Sequence, residues 1–176
     1  MNKNLKKKFS KVDIVFMDID GVMTDGRVVY IGGSSPRIWY VRDRMAVKIL
    51  KGINTVKVIW ITGREGKDLE KVAEELSVDK YYSDINDKLK IVKENLDEFN
   101  IEKSRAMYIG DDLIDLKCMS YTGISCCPSD AVDEVKKQAD FISKYPGGRG
   151  AVRQIIEKIL ICKGLWKDVV KRYKLV

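Results

Sequence analysis

The chain of 176 residues contains no histidine. That absence excludes Ser-His-Asp and Cys-His catalysis, His-Glu-x-x-His zinc sites and phosphohistidine chemistry. Acid–base work near neutral pH must fall to carboxylates, lysine, tyrosine or water. The four cysteines, Cys118, Cys126, Cys127 and Cys162, lack paired metal-ligand spacing. None is followed by arginine at the sixth position, so a thiol-phosphatase loop is absent and buried core thiols are expected. No apolar stretch approaches the roughly 18 residues of a membrane span. The basic segment 1–11 lacks the apolar region of a secretory signal. No membrane partner and a cytoplasmic location are the expectations.

Negative charge is the minority sign: 33 Lys and Arg stand against 26 Asp and Glu, a formal charge of +7. The excess suits anionic ligands. Much of it sits at the ends, on Lys3, Lys6, Lys7, Lys8 and Lys11 and on Lys163, Lys167, Lys171, Arg172 and Lys174. Charge at chain ends reads as solvated tail, and no aromatic-studded strand accompanies it, so nucleic acid is not the expected partner.

An apolar fraction of 45% and this length suit one domain, residues 1–176. Short β-rich runs alternate with amphipathic stretches. Strands are expected at Asp13–Met17, Val56–Ile61, Lys80–Tyr82, Ala106–Ile109, Gly123–Cys126 and Asp140–Ile142. Helices are expected at Met45–Lys51, Gly66–Leu76, Asp87–Phe99, Ile114–Ser120, Ala131–Gln138 and Ala151–Cys162. The fold class that follows is α/β: a Rossmann-like three-layer sandwich, mostly parallel, with helices on both faces. Residues 1–11 read as a basic tail and 146–176 as a C-terminal helix and tail. Arg27–Ile31 and Arg37–Val41 around Gly32-Gly33-Ser34-Ser35-Pro36 read as a β-hairpin flap over 27–41.

Three chemical pieces end apolar runs: Asp18-Ile19-Asp20-Gly21, Ile61-Thr62-Gly63-Arg64 and Gly110-Asp111-Asp112-Leu113-Ile114-Asp115. Ligands of open α/β sheets bind outside the carboxyl ends of the strands, so these pieces should share one site. Asp18 and Asp20 lie two apart at a strand end and can point the same way. Gly21 lets backbone amides approach a phosphate oxygen. Thr62 offers a hydroxyl beside free amides, serving equally as a helix cap or an anion site. Asp111, Asp112 and Asp115 would repel one another without a cation or lysine among them. Lys88, at the head of a helix, can reach over.

In this order, Asp-x-Asp-Gly-x-x-Thr-Asp-Gly at Asp18–Gly26, Thr62-Gly63-Arg64, Lys88 and Gly110–Asp115 resemble the haloacid dehalogenase superfamily. Gly147-Gly148-Arg149-Gly150-Ala151-Val152-Arg153 is similar to the tail of its capless sugar-acid phosphatases. Those act on 3-deoxy-D-manno-octulosonate 8-phosphate and on sialic-type nonulosonate 9-phosphates. The resemblance implies a Mg²⁺-dependent phosphomonoesterase working through an aspartyl-phosphate on a phosphorylated sugar acid, with a place in lipopolysaccharide synthesis. It implies Asp18 as nucleophile, Asp20 as general acid and then base, Thr62 and Gly63 as holders of a phosphoryl oxygen, and Lys88 as charge compensation. Mg²⁺ would rest on the Asp18 and Asp111 carboxylates and the Asp20 carbonyl, with Asp112 and Asp115 positioning ligands or Lys88. Gly21, Arg64 and Arg149 are candidate substrate contacts. There is no room for a cap domain, and the resemblance implies a homotetramer whose flaps pack together.

Arg42-Asp43-Arg44-Met45-Ala46 departs from the octulosonate pattern and is closer to the nonulosonate branch, with Arg44 expected near the pocket mouth. A nucleic-acid end phosphatase of the same superfamily and a receiver-like signalling domain are the alternatives.

Overall fold

Ile-Val-Phe-Met at 14–17 carries no polar side chain, the mark of a strand covered on both faces. In the computed structural model, which describes residues 1–174, this strand is central. Leu175 and Val176, the end of the expected C-terminal tail, lie outside the described residues. In chain order the elements are α1 (Lys3–Ser10), β1 (Ile14–Met17), α2 (Val41–Ile53), β2 (Lys57–Ile61), α3 (Lys67–Glu75), β3 (Lys80–Tyr82) and α4 (Lys88–Glu98). After them come β4 (Ala106–Ile109), α5 (Leu116–Tyr121), β5 (Ile124–Cys127), α6 (Asp133–Gln138), β6 (Phe141–Ile142), α7 (Ala151–Cys162) and α8 (Trp166–Lys174).

The strands form one sheet in the order β3-β2-β1-β4-β5-β6, every pairing parallel. Side chains alternate across it as strand periodicity requires. Val15, Met17, Val58, Trp60, Met107 and Ile109 face a core built with α1, α2, α3 and α7. Ile14, Phe16, Ile59, Ile61 and Tyr108 face a second core with α4, α5 and α6. The expected three-layer α/β fold is the one observed, and no helix among the described residues is long and apolar enough to cross a membrane.

Three segments differ from expectation. Residues 1–11 are not a tail: Leu5 and Phe9, one helical turn apart among the lysines, seat α1 on the sheet, with Phe9 edge-on to Phe141 at 5.7 Å. Residues 27–41 form no paired strands. One antiparallel bridge joins Ile31 and Ser34, and α2 already begins at Val41. A hairpin there would have no face to bury, since Tyr30, Ile31 and Ile38 are 81%, 61% and 67% exposed. Side chains hold the segment instead: Arg37 is buried, and Trp39 stacks on Trp60 at 5.6 Å. The expected helix from Ile114 begins as a 3-10 turn (Leu113–Asp115), because the Asp112 and Asp115 side chains form a capping box.

The 146–150 loop is clamped onto the loop after β1. A Cβ on Gly147 would lie 1.7 Å from the Gly21 carbonyl oxygen, and the Gly148 N–H donates to the Val22 carbonyl at 2.9 Å. Asp43 of α2, fully buried, accepts from the Gly150 and Arg153 amides (2.9 and 2.7 Å) and so caps the start of α7. Burial raises its pKa despite those donors. Asp43→Ala leaves two amides unpaired and should lower stability by about 1–3 kcal/mol, read by denaturant unfolding. An unchanged midpoint would contradict the capping role.

Candidate active site

Strand order reverses at β1, whose neighbours β2 and β4 lead to opposite halves of the sheet. The crevice of such a sheet opens there, beyond the carboxyl ends. Asp18 follows β1 and Asp111 follows β4 after Gly110. The Asp18 N–H donates to the Ile109 carbonyl at 3.0 Å, tying the two strand ends together.

Asp18, Asp111 and Asp115 converge, each offering an oxygen within 4.8 Å of the others. Lys88 reaches in from the start of α4, only 3% exposed, with Nζ 3.0 Å from Asp18 Oδ1 and 2.9 Å from Asp115 Oδ1. Asp115 is saturated. Its Oδ1 also accepts the Tyr108 hydroxyl at 2.8 Å, and its Oδ2 accepts the Asp111 and Asp112 amides at 3.1 and 3.4 Å. It therefore orients Lys88. Asp18 Oδ1 accepts the Ile19 amide at 2.7 Å as well as Lys88, while Oδ2 has no donor among the described residues. Asp111 Oδ1 is buried with no hydrogen-bond partner among the described residues.

The electrostatics follow from this crowding. Burial first, then the Asp115 charge, raise the Asp18 pKa to about 7 against the pull of Lys88. Burial, then Asp18 and Asp115, push Asp111 up to about 8. Burial opposes the charge on Lys88, but the two carboxylates more than offset it and its pKa is raised. An orphaned carboxylate oxygen beside a half-used one is a hard, oxygen-only donor set suited to Mg²⁺. Gly21 (φ +96°) makes room for it: a Cβ there would lie 2.0 Å from Asp111 Oδ2.

A second cluster adjoins the first. Asp20 accepts the Thr62 hydroxyl at 3.1 Å and Arg64 Nη1 at 2.9 Å. The other Arg64 nitrogen bonds the Ser35 carbonyl, and Thr62 Oγ1 accepts the Arg64 amide at 3.1 Å across Gly63. Thr62 thus shapes its turn as well as meeting Asp20. Arg64 faces a carboxylate of its own chain.

Other expected residues stand apart. Asp112 is exposed, caps the Leu113 amide at 2.6 Å and does not touch Lys88, because its side chain is used at the turn. Arg149 pairs with Asp25 at 3.4 Å and lines clefts with Tyr40 and Arg42, away from the acidic cluster. Arg44 pairs with Glu75 of α3, so it is not a free cation at the mouth. Two residues went unseen in the sequence: Arg37, which grips Asp20, and Tyr108, which donates to Asp115. Tyr108 had left a trace, as the single hydroxyl in the run Ala106–Ile109.

Folded-state pKa values raised above the ordinary carboxylate range mean that the metal-free fold binds more protons than the unfolded chain. Asp18 and Asp111 therefore contribute stability at low pH that is lost as pH climbs from about 4 to about 8. Lys88 stays charged throughout that window. Thermal melts without metal should show midpoints falling toward pH 8, with Mg²⁺ restoring most at the upper end. Asp111→Asn should raise the metal-free midpoint at pH 8 and abolish the response to Mg²⁺. A flat wild-type profile would contradict the placement of these charges.

A sequence profile of the haloacid dehalogenase-like hydrolase family matches residues 82–156, which include Lys88 and Asp111–Asp115. The 3-deoxy-D-manno-octulosonate 8-phosphate phosphatase of Yersinia pestis is 33% identical over 159 residues, 89% of this chain and 84% of that one. The crystal structure of the Moraxella catarrhalis enzyme of that name, in complex with a magnesium ion, a phosphate ion and a KDO molecule, superimposes with a TM-score of 0.94 at 28% identity, covering 98% of this chain and 99% of that one. The cobalt-bound Haemophilus influenzae phosphatase matches with a TM-score of 0.86 at 27% identity, over 90% of this chain and 93% of that one. The chain belongs to the haloacid dehalogenase-like hydrolases and is a phosphoric monoester hydrolase, grouped with the 3-deoxy-D-manno-octulosonate 8-phosphate phosphatases.

Proposed function

We propose that this hydrolase removes the phosphate of a phosphorylated sugar acid, 3-deoxy-D-manno-octulosonate 8-phosphate, with Mg²⁺ and through a phosphoryl group carried on Asp18. The observation that carries the reading is the pairing of Asp18 with a buried Lys88 beside the unpartnered oxygen of Asp111, at the carboxyl edge of the sheet. The similarity to sugar-acid phosphatases over most of the chain points to the substrate.

Asp18 and Asp111, with the Asp20 carbonyl, hold Mg²⁺. When bound, the ion neutralises and orients phosphate oxygens. Lys88 and the Ile19 amide fix the Asp18 carboxylate through Oδ1, and of its two oxygens one would meet the ion while the other attacks phosphorus. The new O–P bond forms as the bond from phosphorus to the sugar oxygen breaks, and Asp20 gives its proton to that oxygen. Asp20 then takes a proton from water, whose oxygen attacks phosphorus and releases inorganic phosphate from Asp18. Lys88 offsets charge on nucleophile and phosphate, and Thr62 and the Gly63 amide hold a phosphoryl oxygen. Phosphate monoesters hydrolyse extremely slowly unaided, and positioning with charge compensation supplies most of the acceleration.

The open edge has no further domain above it among the described residues. Val28, Tyr30, Ile31 and Ile38 are exposed beside it, which supports a homotetramer closed by packing of the 27–41 segments. A cytoplasmic location suits such a substrate. Light scattering should return about four times the 20.1 kDa of one chain; a monomer would contradict the assembly.

Phosphate release should require Mg²⁺ and favour the octulosonate 8-phosphate over nonulosonate 9-phosphates and 5′-phosphorylated oligonucleotides. Preference for the oligonucleotide, with steep salt dependence, would overturn the reading. Asp18→Asn should abolish turnover, whereas Asp20→Asn should leave a slow enzyme that carries covalent phosphate when an aryl phosphate, whose leaving group needs no proton, is the substrate. Lys88→Met should lower kcat by about 10²–10³-fold, the range for removing a transition-state donor. Equal residual activity of the two aspartate variants would refute the division of roles.

A further inference from the structure

We propose that Arg37 is a positioning residue for the proton-transfer carboxylate, Asp20. The proposal rests on the roles given to Asp20 above.

The guanidinium has no exposed surface, and each of its nitrogens is bonded. Nε lies 3.1 and 3.3 Å from the two Asp20 oxygens, and Nη2 lies 3.0 Å from Oδ2. Nη1 donates to Asp68 Oδ1 at 3.2 Å, and Nη2 also donates to the Arg64 carbonyl at 3.0 Å. Asp68, in the first turn of α3, accepts the Arg37 backbone amide at 3.1 Å as well. The niche is shaped for this fork, since a Cβ on Gly66 would lie 2.2 Å from Arg37 Nη1.

Anchoring the 27–41 segment does not by itself account for this arrangement, because Trp39, two residues on, shares that task by stacking on Trp60. A buried ion pair is a poor anchor, because desolvation offsets much of its attraction and an apolar side chain does as well. What the planar fork adds is geometry: two parallel N–H bonds fix the plane of a carboxylate, which a lysine point charge cannot do. Asp20 needs such fixing. It sits on a loop, partly open to solvent, and must meet first the leaving oxygen and then a water. Among the described residues, Arg64, on the solvent side, and the Thr62 hydroxyl are the other donors to Asp20; neither bonds both of its oxygens. Arg37 therefore sets the direction of Asp20 from behind, with Asp68 setting Arg37. It bonds neither Asp18 nor Lys88, so phosphate binding is left to the ion, Lys88, Thr62 and the Gly63 amide.

The test compares Arg37→Met, Arg37→Lys and Asp68→Asn with Asp20→Asn in the full chain with Mg²⁺. One substrate is octulosonate 8-phosphate, whose alkoxide needs a proton to leave. The other is p-nitrophenyl phosphate, whose phenolate does not. Arg37→Met should lose about 10²-fold or more in kcat on the sugar phosphate, as a misplaced catalytic group does, with KM nearly unchanged. On the aryl ester it should give a rapid first turnover, a slow steady state and acid-stable phosphate on the protein, the same signature as Asp20→Asn. Arg37→Lys should recover part of the rate and Asp68→Asn show a milder form, which carries the test if Arg37→Met fails to fold. If Asp20→Asn accumulates phosphate while Arg37→Met and Asp68→Asn turn over both substrates like wild type, the inference falls and the function stands. Equal first-turnover losses on both esters in the Arg37 variants, with KM raised, would also overturn it by showing a structural role. If Asp20→Asn itself behaves as wild type, the roles of Asp20 and of Arg37 fall together.

Discussion

Everything at the active edge depends on carboxylates being brought together where water cannot fully solvate them. Asp18, Asp111 and Asp115 lie within one ligand sphere, and a single ammonium, Lys88, answers two of them. Like charges at such distances cannot all ionise without opposing charge. The fold resolves this unevenly. Asp115 receives a lysine, a tyrosine hydroxyl and two amides, whereas Asp111 Oδ1 receives nothing from the described residues. That asymmetry separates a carboxylate that orients Lys88 from one whose buried oxygen has no donor among the described residues. Burial first, then the neighbouring carboxylates, raises the pKa of Asp18 and of Asp111.

The scaffold produces the crowding through topology. Parallel pairing of β1 with both β2 and β4 places three strand ends side by side, each followed at once by a polar turn. Glycines fix how close those turns come: Gly21 admits the Asp111 carboxylate, and Gly147 admits the Gly21 carbonyl. Asp43 then ties the same loop to α2 and α7. The residues that do chemistry and those that set backbone spacing are therefore interleaved, and a change in either class moves the other.

Much of this was legible in the sequence because it is local. Ile14–Met17 and Ala106–Ile109 are short apolar runs that stop at acidic turns, so both the strands and the site edge follow from periodicity. Lys88 was legible only from its order after the other pieces, since a lysine at a helix start is ordinarily solvated. Arg37 was not legible: its partners Asp20 and Asp68 are 17 and 31 residues away and meet it only in the fold. The runs Arg27–Ile31 and Arg37–Val41 read as the two strands of a hairpin, but no ladder forms and side-chain anchors replace it. Residues 1–11 were misread because lysines hid one i, i+4 apolar pair, Leu5 and Phe9.

The central claim is that crowded carboxylates with raised pKa values would share a divalent ion. Titration calorimetry of Mg²⁺ near neutral pH, in buffers of different ionisation enthalpy, measures it by counting the protons displaced when metal binds. The account predicts release of on the order of one proton per site, vanishing when Asp111 is replaced by asparagine. Mg²⁺ binding with no proton release, or binding undiminished in that variant, would contradict it.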